Sequence, residues 1–192
     1  MALTPSTMLS LGTKAPSFSL PDFEDKPHSI HDFSDAKALV VVFFCNHCPY
    51  IKLLKQHLSD FAREYQSKGV AFAVINSNDT VQYPDDAPEK MAADAKAFNY
   101  PFPYLVDERQ EVAKTFQAAC TPDFYLFDGE RRLVYRGQYD DARPGNGIEP
   151  TGDDLAAAIN AVLEGREVSS EQKPATGCNI KWKPGNSPDY FG

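Results

Sequence analysis

Two uninterrupted apolar runs, Leu39–Phe44 and Val70–Ile75, flank a helical stripe, and this spacing constrains the fold more than any other feature of the chain. A six-residue apolar run without alternation reads as a strand buried on both faces, the environment of a parallel sheet. Between the runs, Ile51, Leu54, Leu58, Phe61 and Tyr65 step by three and four and define one face of an amphipathic helix, which Gly69 ends. Strand, helix and strand in this order predict a β-α-β unit.

The remaining elements follow from local pattern. Gly12–Asp22 alternates and predicts a short edge strand or hairpin arm, with His28–His31 as its return. Helices are expected over Pro88–Phe98 and Glu108–Ala118, with a short strand at Phe102–Val106 between them. Phe124–Phe127 and Leu133–Arg136 read as strands joined across Asp128-Gly129. A last helix is expected to be capped by Thr151 with Asp154 as its capping-box partner, and to end at Gly165. Residues 1–165 are therefore expected to form one domain, and residues 166–192 a tail docked on it through Trp182 and Cys178.

The first apolar run leads into Cys45-Asn46-His47-Cys48-Pro49. Proline fits the first helical position and breaks a helix further in. Pro49 at that position makes Cys48 the N-cap, where unpaired amides and the helix dipole favour a thiolate and can bring a thiol pKa from ~8.5 to ~3.5–7.5. Cys48 is the expected nucleophile. Cys45, in the preceding loop, is the nearest candidate to resolve a mixed disulfide, and Cys178 and Cys120 are further candidates. The reverse order, with Cys45 attacking, puts Pro49 inside the helix and ranks second. His47 reads either as a group that raises the thiolate population or as an exposed loop residue. This chemistry requires a Cys48 sulfur that is ionised and reachable from solvent; enclosure in the core, or a bound metal ion, would defeat it. A metal centre through Cys45, His47 and Cys48 lacks the two separated ligand pairs of structural zinc, so no metal and no cofactor are expected. Asp85-Asp86 and Tyr139-Asp140-Asp141 read as solvated acidic loops.

Nineteen Lys and Arg against twenty-seven Asp and Glu give a net charge of −8, which disfavours nucleic acid and anionic membranes as partners. No apolar run approaches the ~20 residues of a membrane helix. The start, Met1-Ala2-Leu3-Thr4-Pro5, lacks a basic region followed by an apolar one, so a cytoplasmic location is expected. Thiols there are kept reduced, and a C-x-x-C is more often catalytic than a staple.

The order β-α-β, helix, hairpin, helix, with C-x-x-C after the first central strand, resembles the thioredoxin fold. Gly12-x-x-Ala15-Pro16-x-Phe18-x-Leu20 resembles the start of the alkyl-hydroperoxide-reductase/thiol-specific-antioxidant (redoxin) branch, and Thr121-Pro122 matches the position of the fold's cis-proline. Cys45–Tyr50, Tyr83–Met91 and Gly177–Trp182 resemble a peroxiredoxin-like subgroup. The resemblance implies an α/β thioredoxin-like fold: a central mixed sheet flanked by helices, with an N-terminal hairpin extension. It also implies a thiol-disulfide oxidoreductase with Thr121, Pro122 and His47 beside the substrate, and an extended substrate segment pairing with the backbone at Thr121. Its partners would be protein or small-molecule disulfides or peroxides, and an external dithiol reductant. Departures are specific. Ile51 stands where thioredoxins carry their second cysteine, and Val42 replaces their buried acid. Cys45 stands where peroxiredoxins carry a hydroxyl, and Pro122 where they carry an arginine. The alternatives are a thiol-dependent peroxidase and a non-enzymatic redox sensor or binding module.

Overall fold

The computed structural model describes residues 3–191; Met1, Ala2 and Gly192, the outer ends of the spans read from the sequence, lie outside the described residues. In chain order the elements are β1 (Leu3–Pro5), β2 (Ser19–Pro21), β3 (Pro27–Ser29), β4 (Ala38–Phe43), α1 (Pro49–Gln66), β5 (Val70–Asn76), α2 (Pro88–Ala97), β6 (Tyr104–Val106), α3 (Glu111–Thr115), β7 (Cys120–Thr121), β8 (Asp123–Phe127), β9 (Leu133–Gly137), α4 (Asp153–Leu163) and β10 (Thr176–Asn179).

The central sheet has the order β6-β5-β4-β8-β9. β4 runs parallel to β5 and β5 to β6, while β8 is antiparallel to both β4 and β9. Alternate side chains of the β4 run serve two cores. Val40, Val42 and Phe44 pack with Ile51, Leu54 and Leu58 of α1 and with Leu155 and Ile159 of α4. Leu39, Val41 and Phe43 pack on the other face with Val112 and Ala113 of α3, Phe116 and Phe18. Burial on both faces explains why this strand is apolar throughout. α1 starts at Pro49 and carries its apolar stripe into the first core, so the end of β4 delivers the cysteine loop to the edge of that core.

Beside this sheet, β2 and β3 form the N-terminal hairpin, and β10 lies between β1 and β7 in a three-stranded sheet. The tail is therefore docked as a strand. No helix among the described residues is long and apolar enough to cross a membrane.

Several local expectations are corrected. The second strand pair keeps both arms, but its link spans residues 128–132 and the positive φ falls at Arg131, not Gly129. Asp128 Oδ1 holds that link by accepting the Glu130 and Arg132 amides at 2.9 and 2.8 Å. α3 is confined to Glu111–Thr115 because Gln110 and Gln117, at φ 61° and 52°, leave the helical region on both sides. Gly152, at φ 69°, is the N-cap of α4 in place of Thr151. Tyr139 and Asp140 are buried: the Asp140 carboxylate accepts the Ala142, Thr151 and Gly152 amides at 2.7–2.8 Å and organises the approach to α4.

Candidate active site

Cys48 is the N-cap of α1 and Pro49 its first residue. Opposite it lies the cis Thr121–Pro122 bond that links β7 to β8. The tail strand completes the cluster. β10 pairs antiparallel with β7 so that Cys178 faces Thr121 and Asn179 faces Cys120. This register sets the Cys178 sulfur 2.7 Å from that of Cys48. That separation exceeds the ~2.05 Å of a bonded pair, and all four cysteines are thiols. The Thr121 carbonyl lies 3.3 Å from the Cys48 sulfur, and the Thr121 hydroxyl 3.4 Å from that of Cys45. The site residues Cys45, Cys48, Thr121, Pro122 and Cys178 are thus brought together. Cys120 is not: its thiol donates to the Pro122 carbonyl at 3.4 Å.

The sulfurs differ sharply in acidity. Hydrogen bonding from Cys45 is the largest influence on the Cys48 thiol; with a second bond from Cys178 it overcomes burial and lowers the pKa to about 5. The Ile51 amide in the first turn of α1 contributes further down, by proximity, since the sulfur makes no aligned capping bond. The helix start therefore lowers this pKa less than the adjacent thiols do. Burial, and then the bond to Cys48, push the Cys45 thiol well up. The same two causes push Cys178 up to about 12. The result is one ionised sulfur held by two protonated ones. In its protonated form Cys48 donates to the Thr121 carbonyl; as a thiolate it accepts from its neighbours.

One carboxylate holds the C-x-x-C turn. Asp86 Oδ1 accepts the Asn46 and His47 amides at 2.7 and 3.3 Å. Asp86 Oδ2 accepts Asn78 Nδ2 at 2.8 Å and faces His47 Nδ1 at 2.6 Å. An ionised carboxylate only accepts, so Nδ1 carries the proton. Burial raises the Asp86 pKa, but the His47, Asn78 and Asn46 hydrogen bonds outweigh it and the net shift is downward. The His47 ring stacks on Tyr83, 5.4 Å between centroids. Asn78 also ties in the tail, since its Oδ1 accepts the Lys181 amide at 2.8 Å. Asp86 is fully buried, against the expectation of a solvated loop, because four donors from two segments converge on it. The sequence signal was weak: Asp86 stands in the Tyr83–Met91 stretch, beside an equally acidic but exposed Asp85.

The expectation of a solvent-reachable Cys48 is also overturned, so the redox chemistry stated to require that access depends on displacing the groups that cover the sulfur. Cys48 has 0 % exposure and sits in the core cluster, covered on one side by the Cys178 thiol and the Thr121 carbonyl. The sequence alone does not disclose that a tail strand docks there. Among the described residues, the ligand atoms of Cys45, His47 and Asp86 lie within 4.8 Å of one another. They offer three donors where structural zinc takes four, and the Asp86 carboxylate is already saturated by N–H donors.

A mixed sheet with a cysteine at a helix start, opposite a cis-proline, defines a thioredoxin-fold redoxin. The chain belongs to the AhpC/TSA family, whose sequence pattern matches residues 11–136. It is 23% identical over 131 residues to the "Thiol-disulfide oxidoreductase ResA" of Bacillus thuringiensis, covering 68% of this chain and 71% of that protein. The crystal structure of a hypothetical protein from Sinorhizobium meliloti is similar throughout: TM-score 0.93 and 50% identity over 95% of this chain and 100% of that one. The thioredoxin domain of a thiol-disulfide oxidoreductase from Bacteroides vulgatus shares the fold, with TM-score 0.60 and 19% identity over 84% of this chain and 99% of that one.

Proposed function

We propose that this protein is an oxidoreductase acting on thiol and disulfide groups, with Cys48 and Cys178 as its redox pair. The 2.7 Å contact between an acidic and a proton-rich sulfur carries this reading. Membership of the AhpC/TSA family and the likeness to a ResA protein support the reaction class.

The Cys48 thiolate attacks one sulfur of a disulfide R–S–S–R. That S–S bond breaks, a Cys48–S–S–R bond forms, and the departing RS⁻ takes the Cys178 proton. The Cys178 thiolate then attacks the Cys48 sulfur and expels the second RS⁻. The substrate gains two electrons and the protein retains a Cys48–Cys178 disulfide. An external dithiol returns it to the starting state. Its attack falls on Cys178, because the low pKa of Cys48 makes it the better leaving group. Access requires displacement of the groups over the Cys48 sulfur, starting with rotation of the Cys178 side chain. Cys45 serves as the donor that keeps Cys48 ionised, and the Asp86–His47 pair positions the turn.

The test is turnover of hydroxyethyl disulfide with dithiothreitol as reductant. Cys48→Ser is expected to abolish it, and a variant as fast as the unaltered protein overturns the assignment. Peroxide reduction is a second reading, favoured by an enclosed thiolate beside a resolving thiol. Cys48–S⁻ would take one oxygen from ROOH, releasing ROH after protonation and leaving Cys48–SOH, which condenses with Cys178–SH and releases water. Peroxide consumption faster than that of a simple low-pKa thiol supports it, and an equal rate removes it.

A further inference from the structure

Strand addition to the backbone at Thr121 is the way an extended polypeptide would bind beside Cys48, and it needs an unpaired edge. Here that edge is already taken. β10 pairs with Cys120–Thr121 on one side and with Leu3–Pro5 on the other. Gly177 permits the fit, since a Cβ there would overlap the Thr121 carbonyl and crowd the Pro122 nitrogen. Anchors hold both ends. Ser6 donates its amide to the Ala175 carbonyl at 2.8 Å, and Ile180 donates to Ala119 at 3.1 Å. The Lys181 amide donates to Asn78, while the Lys181 carbonyl accepts the Asp79 amide at 2.8 Å and Gln110 Nε2 at 3.0 Å.

Resting on the proposed Cys48–Cys178 couple, we infer that β10 is a fixed selectivity element that reserves Cys48 for small-molecule disulfides and excludes polypeptide ones. A polypeptide must displace a strand pinned at both flanks. A small disulfide can leave β10 in place and enter where the Cys178 side chain turns aside, and Cys178, at 3 % exposure, is the least enclosed of the four cysteines. The substrate class is thus a low-molecular-weight disulfide whose two halves leave as small thiols.

The reduced full chain is mixed separately with hydroxyethyl disulfide and with insulin, and loss of the Cys48 and Cys178 thiols is followed. Hydroxyethyl disulfide is expected to oxidise the pair at least about tenfold faster per disulfide than insulin. Gly177→Val, which forces β10 off Thr121, is expected to raise the insulin-to-hydroxyethyl rate ratio; Gly177→Ala gives a milder version if the valine variant does not fold. Comparable rates of the two probes with the unaltered protein overturn the selectivity, as does an unchanged ratio in a folded Gly177 variant. Failure of both probes to oxidise Cys48 overturns the redox couple itself, and the selectivity with it.

Discussion

Cys178 stands directly across an antiparallel ladder from Thr121, and this pairing brings its sulfur to within 2.7 Å of Cys48. A second thiol is thereby supplied from 130 residues away in sequence, where thioredoxins take theirs from within the first turn of the helix. Ile51 occupies that turn here and packs into the core.

Cys45 is expected to set the acidity of Cys48. The ultraviolet thiolate signal of Cys48 should titrate with a midpoint near pH 5, and Cys45→Ala should move it upward by about one unit or more. The sign for stability follows. The folded pKa lies below the unfolded value of ~8.5, so the stabilisation is complete above that value and drains away as pH falls toward 5. Denaturation of Cys48→Ser and unaltered protein across this range checks it: their difference should shrink with acidification.

Asp86→Asn should loosen the C-x-x-C turn. It removes the charge from hydrogen bonds to His47 and Asn78, and a loss of about 1–3 kcal/mol is expected at neutral pH. Because the folded Asp86 pKa is lowered, the stabilisation is present above the ordinary carboxylate value and vanishes as pH falls through the folded one. Urea denaturation at neutral pH and below pH ~4 should show the two proteins converging in acid.

Arg136 and Asp123 form a fully buried ion pair at 3.4 Å, with Asp123 directly following the cis-proline. Burial holds the Asp123 carboxyl above its ordinary range even with Arg136 beside it. Arg136→Met alone should cost about 3–5 kcal/mol by leaving that acid unpaired, while Arg136→Met with Asp123→Leu should cost less. Thermal unfolding of both variants decides the order.

Cys178→Ser should trap the first step. The hydroxyl still donates toward Cys48, so attack on hydroxyethyl disulfide proceeds, but the resolving thiol is gone, and Cys45, which burial and the bond to Cys48 keep protonated, does not displace the product. Intact-mass measurement should find the mercaptoethanol adduct on Cys48 accumulating in the variant and only transiently in the unaltered protein.

The sequence reports these features unevenly. β4, α1 and β5 are legible because an apolar run and a three-four stripe are local signals. The cysteine at the helix start is equally legible, since Pro49 fixes the register. β1, β7 and β10 carry no such mark: they span two to four residues each, and their pairing joins segments more than fifty residues apart. Cys178 could therefore be named from the sequence, but not seated on Cys48, and the closure it imposes could not be seen. Asp86 was hidden for a similar reason: its burial depends on Asn46, His47 and Asn78, which only tertiary folding collects.

Disulfide mapping decides whether Cys178 or Cys45 is the redox partner of Cys48. The reduced protein is oxidised with one equivalent of hydroxyethyl disulfide, remaining thiols are alkylated, and the peptides are identified by mass spectrometry. A Cys48–Cys178 cross-link is expected, with Cys45 and Cys120 alkylated. A Cys45–Cys48 bridge, with Cys178 recovered as an alkylated thiol, contradicts it.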